Sequence, residues 1–290
     1  MNCMKVIVKL ILSILLILPC SCTKELTDEE DVYKVTNHGK SLFIYLSSGD
    51  LLESQTKDLY ISKIEELEIQ GHVGGFNLAF LRDLSGGTDS LLLGGKKMSV
   101  LNLEKVFFDR GKEVYYSRNG EDLTINYHSE IPAYAFEGCY VLKDITLPDM
   151  IGNVININKR AFANCILLKN IVWGHHVRKI KEEAFINCSN ISNTLIIPGG
   201  VVEIGDRAFK DTHPVHVEIP STIKTIGYCA FSNIIEDVVI RSIIPPTIKS
   251  DSFVFHKKSG RILFVPSESI GKYKQEPYTS IFSEIKAIEK

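Results

Sequence analysis

Apolar residues recur along this chain in a repeated unit. Six isoleucines each stand five residues ahead of a phenylalanine: Ile131/Phe136, Ile157/Phe162, Ile180/Phe185, Ile204/Phe209, Ile226/Phe231 and Ile248/Phe253. The phenylalanines follow one another at spacings of 26, 23, 24, 22 and 22 residues, and all but Phe253 follow an alanine. A period of that length is the sequence mark of a solenoid, in which each unit buries its faces only against its neighbours. A second apolar segment in each unit reads as a short strand. These are Ile145-Thr146-Leu147, Ile171-Val172-Trp173, Leu195-Ile196-Ile197, Val217-Glu218-Ile219, Val238-Val239-Ile240 and Leu263-Phe264-Val265. Alternation turns the first and third residues inward and the middle one outward. Prolines 148, 198, 220 and 266 stop the strand without removing a needed donor. The Ala-Phe segment predicts a helical turn on the opposite side, with the phenylalanines stacked as a spine.

The stretch Ile131-Pro132-Ala133-Tyr134-Ala135-Phe136-Glu137-Gly138-Cys139, with Leu142, Ile145, Leu147 and Pro148 after it, resembles the BspA-like leucine-rich repeats of bacterial surface proteins. Ile204-Gly205-Asp206-Arg207-Ala208-Phe209 and Ile226-Gly227-Tyr228-Cys229-Ala230-Phe231 repeat the pattern. Leu263 to Pro266, followed by Tyr273-Lys274, is similar to the family's C-terminal end, with Tyr278 and Phe282 where a tryptophan is expected. The resemblance implies an α+β solenoid, a leucine-rich-repeat right-handed superhelix of stacked short strands and helical turns, over 131–275, with 276–290 as a C-terminal tail. It also implies surface display and, for some members, adhesion to host matrix proteins or other cells. It supplies no catalytic residues.

Residues 41–130 are less regular. Ser41 to Leu46 alternates as a strand, Leu67-Glu68-Ile69 and Leu101-Asn102-Leu103 read as two further rungs, and Phe76 to Leu84 reads as a helical turn between them. The pairs Gly86-Gly87 and Gly94-Gly95 mark a loop. Solenoids need atypical terminal units, so 41–130 is expected to be an N-terminal cap continuous with the repeats. The rival is a separate small sandwich domain.

Ahead of this lies an address. Lys5 and Lys9 precede the apolar run Leu10 to Leu18, which is about half the length a membrane span needs and so reads as a cleaved leader over 1–21. It closes into Pro19-Cys20-Ser21-Cys22-Thr23, which resembles a bacterial lipoprotein box. Pro19 makes cleavage before Cys20 unfavourable, and the small Ser21 favours Cys22 as the lipidated residue. The acidic run Asp28 to Asp31 lies in the expected tether, 22–40. It resembles a surface-export signal; a plain solvated spacer is the alternative. Localisation is therefore expected at the outer membrane, lipid-anchored and on the cell surface.

Charge excludes one class of partner. Lysine and arginine number 33 against 35 acids; without the two leader lysines, 31 against 35 leaves −4. Nothing here suits a nucleic-acid backbone. Cys139, Cys165 and Cys188 each lie three residues after a repeat phenylalanine and read as a ladder of buried thiols, since parallel rungs give poor disulfide torsions. Cys229 sits elsewhere in its unit, as core. His175-His176 and His213/His216 fall on different sides of the unit, with no carboxylate or cysteine to complete a metal set. Gly71-His72-Val73-Gly74-Gly75 lacks the lysine of a phosphate loop and reads as a turn. No catalytic spacing and no cofactor motif is present, so no enzyme and no cofactor is expected.

The better candidate is the outward row of the strands: Glu68, Asn102, Thr146, Val172, Ile196, Glu218, Val239 and Phe264. Half of it is apolar, and an exposed apolar row on a sheet often marks a binding surface, although β-branched residues also favour strands for their own sake. The binding set expected is Thr146, Val172, Ile196, Glu218, Val239 and Phe264. The function expected is binding of a protein or glycan ligand on a host or neighbouring cell, by a monomer that touches the membrane only through its lipid. The alternatives are a glycan-binding lipoprotein for nutrient capture, which would present more exposed aromatics, and a β-solenoid polysaccharide-processing enzyme, which would need clustered acids and bases.

Overall fold

The computed structural model describes residues 33–289, apart from 37–39, 57–58, 60, 88–97, 129, 151, 153, 233–235, 250–252 and 255–259. The leader, Cys20, Cys22, the acidic run and Gly94-Gly95 lie outside the described residues. In chain order the N-terminal region comprises β1 (Tyr33–Thr36), β2 (Ser41–Leu46), α1 (Leu52–Thr56), β3 (Glu66–Val73), α2 (Gly75–Leu84), β4 (Val100–Phe108), β5 (Val114–Arg118) and β6 (Glu121–Thr124). The repeats follow as β7 (Glu130–Ile131), β8 (Asp144–Thr146), β9 (Ile155–Ile157), β10 (Asn170–Val172), β11 (Val177–Ile180), β12 (Ser192–Ile196), β13 (Glu203–Ile204) and β14 (His213–Ile219). The chain continues as β15 (Thr225–Ile226), β16 (Phe231–Ser232), β17 (Asp237–Ile240), β18 (Thr247–Ile248), β19 (Phe253–Val254), β20 (Ile262–Val265), α3 (Ile270–Tyr273) and β21 (Glu284–Ala287).

Each coil has three sides. The repeat isoleucines form one parallel sheet in the order β18-β15-β13-β11-β9-β7. The outward-row strands form a second side, where β1-β2-β3-β4-β8-β10 is one sheet and β12-β14-β17-β20-β21 another. The rungs at Leu67 and Leu101 join the repeats directly, because Leu67 pairs with Leu101 and Leu101 with Ile145. β1, inside the stretch expected as tether, pairs antiparallel with β2. Gly71 to Val73, expected as a turn, belongs to β3, and Gly75 opens α2. At Gly71, φ is +91° and a Cβ would lie 2.1 Å from the Leu46 carbonyl oxygen, which only glycine permits.

The third side corrects the helical-turn expectation. The Ala-Phe segments are successive β-turns: Ala135 N bonds Pro132 O, Glu137 N bonds Tyr134 O, and Cys139 N bonds Phe136 O. Two residues in each turn are left-handed, which ends any helix. Tyr134, Arg160, Glu183, Arg207 and Cys229 hold φ between 48° and 61°, and Gly138, Asn164, Asn187 and Asp211, four residues beyond the first four of these, hold φ between 59° and 72°. Gly, Asn and Asp suit the second position, having no Cβ or a short polar side chain. The gain is a forward ladder: the N–H groups of Arg160, Phe162 and Asn164 donate to Glu182, Ala184 and Ile186, at 2.8–3.0 Å, and neighbouring coils repeat it. A helix would spend those groups within its own coil.

Beneath this ladder the six phenylalanines stack with ring centroids 5.1–5.4 Å apart and planes within 9°. Phe282 closes the stack edge-on against Phe253, at the position expected to replace the tail tryptophan. Tyr273 is buried, and its hydroxyl donates to Ser242 O at 2.9 Å. Burying one phenylalanine is worth about 1.5–3 kcal/mol, so the spine is a main source of cohesion between coils.

Candidate functional site

The inward and outward assignment of the strands holds. Ile145, Leu147, Leu195, Ile197, Val217, Ile219, Val238, Ile240, Leu263 and Val265 are buried. Trp173 packs against the core, edge-on to Phe185 at 5.6 Å. Outside, the ladder aligns Glu68, Asn102, Thr146 and Val172 in one run. It aligns Ile196, Glu218, Val239 and Phe264 in another, which Lys286 extends. The row expected as continuous is thus two runs, parted between Val172 and Ile196. Those two are its most exposed apolar members, at 58% and 54%, while Thr146, Glu218, Val239 and Phe264 are half-buried. Glu218 is further occupied by Arg241, whose Nε donates to it at 2.6 Å and whose guanidinium is thereby held above its ordinary pKa.

The left-handed positions carry a charge ladder along the turn side. Arg160 bonds Glu137 at 2.7 Å and also pairs with Glu183; Glu183 accepts from Arg207 at 2.7 Å; Arg207 reaches Glu182 at 3.0 Å. Arg118 pairs with Glu137 at the N-terminal end. Burial alone would raise the Glu183 carboxyl, but bonds from Arg207 and Arg160 hold it below its ordinary range. Every side chain in this ladder is matched, so it reads as coil-to-coil structure. Asn187 adds a neutral rung, donating to Asn164 at 2.8 Å.

On the isoleucine sheet, a groove of about 450 Å³ runs past Lys181, Glu203, Gly205, Asp206, Thr225 and Thr247. Its acids are paired: Lys249 with Asp206 at 2.8 Å and Lys179 with Glu203 at 2.8 Å. The histidines are dispersed, as expected, but carboxylates do meet three of them: His216 lies 3.3 Å from Asp237, His72 2.8 Å from Asp109, and His175 meets Asp149. Asp149 Oδ1 accepts from His175 N at 2.6 Å, and its Oδ2 lies 2.5 Å from His175 Nδ1. This bond to Asp149 raises the His175 pKa. Among the described residues no group of three His, Cys, Asp or Glu is placed to hold a metal. Cys139, Cys165, Cys188 and Cys229 are buried and unbridged. The thiols of Cys165 and Cys188 donate to Phe136 O and Phe162 O at 3.1 and 3.0 Å, and burial pushes the Cys165 pKa up. In the next coil Thr212 takes that position and donates to Phe209 O at 2.7 Å.

Sequence reasoning missed two residues of the N-terminal region. The first repeat turn presents carbonyls whose counterparts in later coils accept N–H groups from the coil before. Tyr115 Oη donates to Ala133 O at 2.5 Å, and the buried Arg82, on α2, donates to Ala135 O at 2.9 Å and Glu137 O at 3.3 Å. Arg82 also lies 4.0 Å over the Tyr116 ring. An arginine beside Leu78 and Leu81 on the buried face of the helix was the available signal.

Stacked strands, turns and a phenylalanine spine define a leucine-rich-repeat fold. Residues 110–236 match the model of the BspA-type leucine-rich repeat region in six copies. No curated protein matches the chain. Among solved structures, the pneumococcal vaccine antigen PcpA is similar over 79% of this chain and 60% of its own, at 17% identity and a TM-score of 0.44. This chain thus spans less than two thirds of PcpA's length. The T. pallidum leucine-rich-repeat protein TpLRR is similar over 72% of this chain and 81% of its own, at 16% identity and a TM-score of 0.30. A leucine-rich-repeat protein from Bacteroides ovatus is similar over 60% and 67%, at 15% identity and a TM-score of 0.23. No helix among the described residues is long and apolar enough to cross a membrane.

Proposed function

We propose that this is a lipid-anchored leucine-rich-repeat protein of the bacterial cell surface that binds another protein, in the manner of an adhesin, through the outward row of its strands. One observation carries the reading: Val172 and Ile196 stand more than half exposed, while Leu195 and Ile197 on either side of Ile196 are buried and Ile171 and Trp173 on either side of Val172 are half-buried against the core. Apolar side chains held rigidly in water favour a partner that covers them. Thr146, Glu218, Val239 and Phe264 supply the flanks. The coils wind as a right-handed superhelix, with 41–130 as the cap that closes its first turn. Cys22 carries the lipid, and the segment after it spaces the fold from the membrane. No cofactor takes part.

The test is a binding screen of the mature protein against host matrix proteins and glycan arrays, repeated with the Val172→Ser/Ile196→Ser double variant. A protein ligand lost on double substitution is the expected result. Binding that ignores the substitution, or goes only to glycans, overturns the reading. Mass spectrometry of the mature N-terminus should find the acyl groups on Cys22; acyl groups on Cys20 would reassign the anchor.

A further inference from the structure

One part of the strand side is wider than the repeats require. β8 and β10 carry 3 residues each, whereas β2, β3 and β4 carry 6, 8 and 9. Their shared outward face is therefore several side chains long as well as three strands across. Aromatic rings gather on it. The ladder register sets Phe43 beside Glu68, Tyr45 beside Gln70, Gln70 beside Lys105, and His72 beside Phe107. The His72 and Phe107 rings stack at 5.6 Å with planes 22° apart. Tyr45 is 48% exposed, and Phe43, His72 and Phe107 are half-buried. Polar side chains run between the rings and are held in place. Gln70 Nε2 donates to Glu68 Oε1 at 2.9 Å. Asp109 Oδ1 lies 2.8 Å from His72 Nδ1, and Ser48 Oγ donates to Asp109 Oδ2 at 3.3 Å. Asp109 thus fixes the imidazole and leaves Nε2 for another partner.

We propose that this face binds a neutral polysaccharide laid across β2, β3 and β4. It is separate from Val172 and Ile196 and does not depend on a partner there. Three features specify the ligand. The first is the mixture of groups. A pyranose has an apolar C–H face and a rim of hydroxyls; the C–H face suits the negative face of an aromatic ring, and the hydroxyls suit Gln70, Glu68 and His72, which offer donors and acceptors together. The second is their arrangement. A protein-binding patch gathers apolar side chains at its centre and polar ones at its rim. Here the order is reversed: Glu68 and Gln70 occupy the central strand, with Phe43 and Tyr45 on β2 to one side and Phe107 on β4 to the other. Adjacent strands lie ~4.8 Å apart, close to the advance of one sugar unit in an extended chain, so a chain crossing the face meets a ring on each outer strand. The third is charge. Glu66, Glu68 and Glu104 stand against Lys105 along these strands, which repels uronate or sulfated chains.

The experiment is native electrophoresis of the mature protein through gels cast with β-glucan, xylan, galactomannan or polygalacturonate. Retardation by at least one of the three neutral polymers is expected, and none by polygalacturonate. Tyr45→Ala and Gln70→Ala should each weaken that binding at least about tenfold. Both side chains lie on the outward face, and a thermal melt of each variant should match the wild type. If one variant melts early, the other still decides. No retardation by any neutral polymer, or retardation by polygalacturonate alone, overturns the proposal. Retardation that survives both substitutions places the sugar elsewhere and overturns it too. A matrix protein that binds the wild type but not Tyr45→Ala, with no polysaccharide bound, would give the face to a protein and overturn it.

Discussion

The turn side and the strand side of this solenoid solve the same problem differently. On the turn side every coil meets the next through an aromatic ring, without a break from Phe136 to Phe253, and a forward row of N–H groups and a charge ladder reinforce the earlier coils. On the strand side the coils meet through three to seven residues of sheet, and the ladder stops between β10 and β12. Continuity on one side is what allows a gap on the other. The coils are held in register by the spine and the isoleucine sheet, so the outward row is free to vary, and variation there is where binding can be written.

The largest test of that contrast is Phe185→Ala. Phe185 stacks between Phe162 and Phe209 and carries the edge of Trp173. A loss of about 3–5 kcal/mol is expected from chemical denaturation, the scale of a core aromatic cavity. A loss under about 1 kcal/mol would mean that the spine does not hold the coils.

Arg82→Met tests the N-terminal end of the turn side. It removes the donor to Ala135 O and Glu137 O, whose counterparts in later coils accept backbone N–H groups from the preceding coil. Each buried orphan costs about 1–3 kcal/mol, so a drop of that order is expected, with faster hydrogen exchange confined to the first coils. Uniform exchange along the whole molecule would show that Arg82 does not act as a local closure.

A smaller effect should appear with acid. The Glu183, Asp206 and Asp149 carboxyls are all held below their ordinary range, Glu183 by the guanidiniums of Arg207 and Arg160 against its burial, Asp206 chiefly by Lys249, and Asp149 by His175 against its burial. Their contribution is full above the unfolded carboxylate pKa and is lost as pH falls through the lowered folded values. His175, raised by Asp149, has the opposite sign: its share is present below its ordinary pKa and fades as pH rises through the raised one. Thermal melts should fall in acid, and Glu183→Gln should flatten that slope. An unchanged slope would leave the charge ladder without a part in stability.

The smallest effect belongs to the strand side. Val172→Ser/Ile196→Ser should move stability by less than about 0.5–1 kcal/mol, because both side chains face solvent. If the double variant unfolds as Phe185→Ala does, the two sides are not as different as the exposed row indicates.

The chain alone determined the period, the inward and outward residues of each strand, the phenylalanine stack and the buried thiols, because each follows from where apolar side chains recur. The rungs at Leu67 and Leu101 were equally legible, as was the aromatic closure by Phe282. Three matters were settled only by the tertiary structure. The Ala-Phe segment is a run of β-turns, since Tyr134, Arg160, Glu183 and Arg207 adopt left-handed φ to aim their N–H groups at the next coil, a preference none of these residue types announces. Arg82 and Tyr115 close the first turn from more than fifteen residues away, a pairing with no local pattern. The strand ladder breaks between β10 and β12, beside an indole that reads in sequence as one more inward residue; its size matters only once the neighbouring coil is packed against it. Periodicity is local and survives in the sequence, whereas hydrogen-bond closure and interlayer volume exist only between segments brought together by the fold.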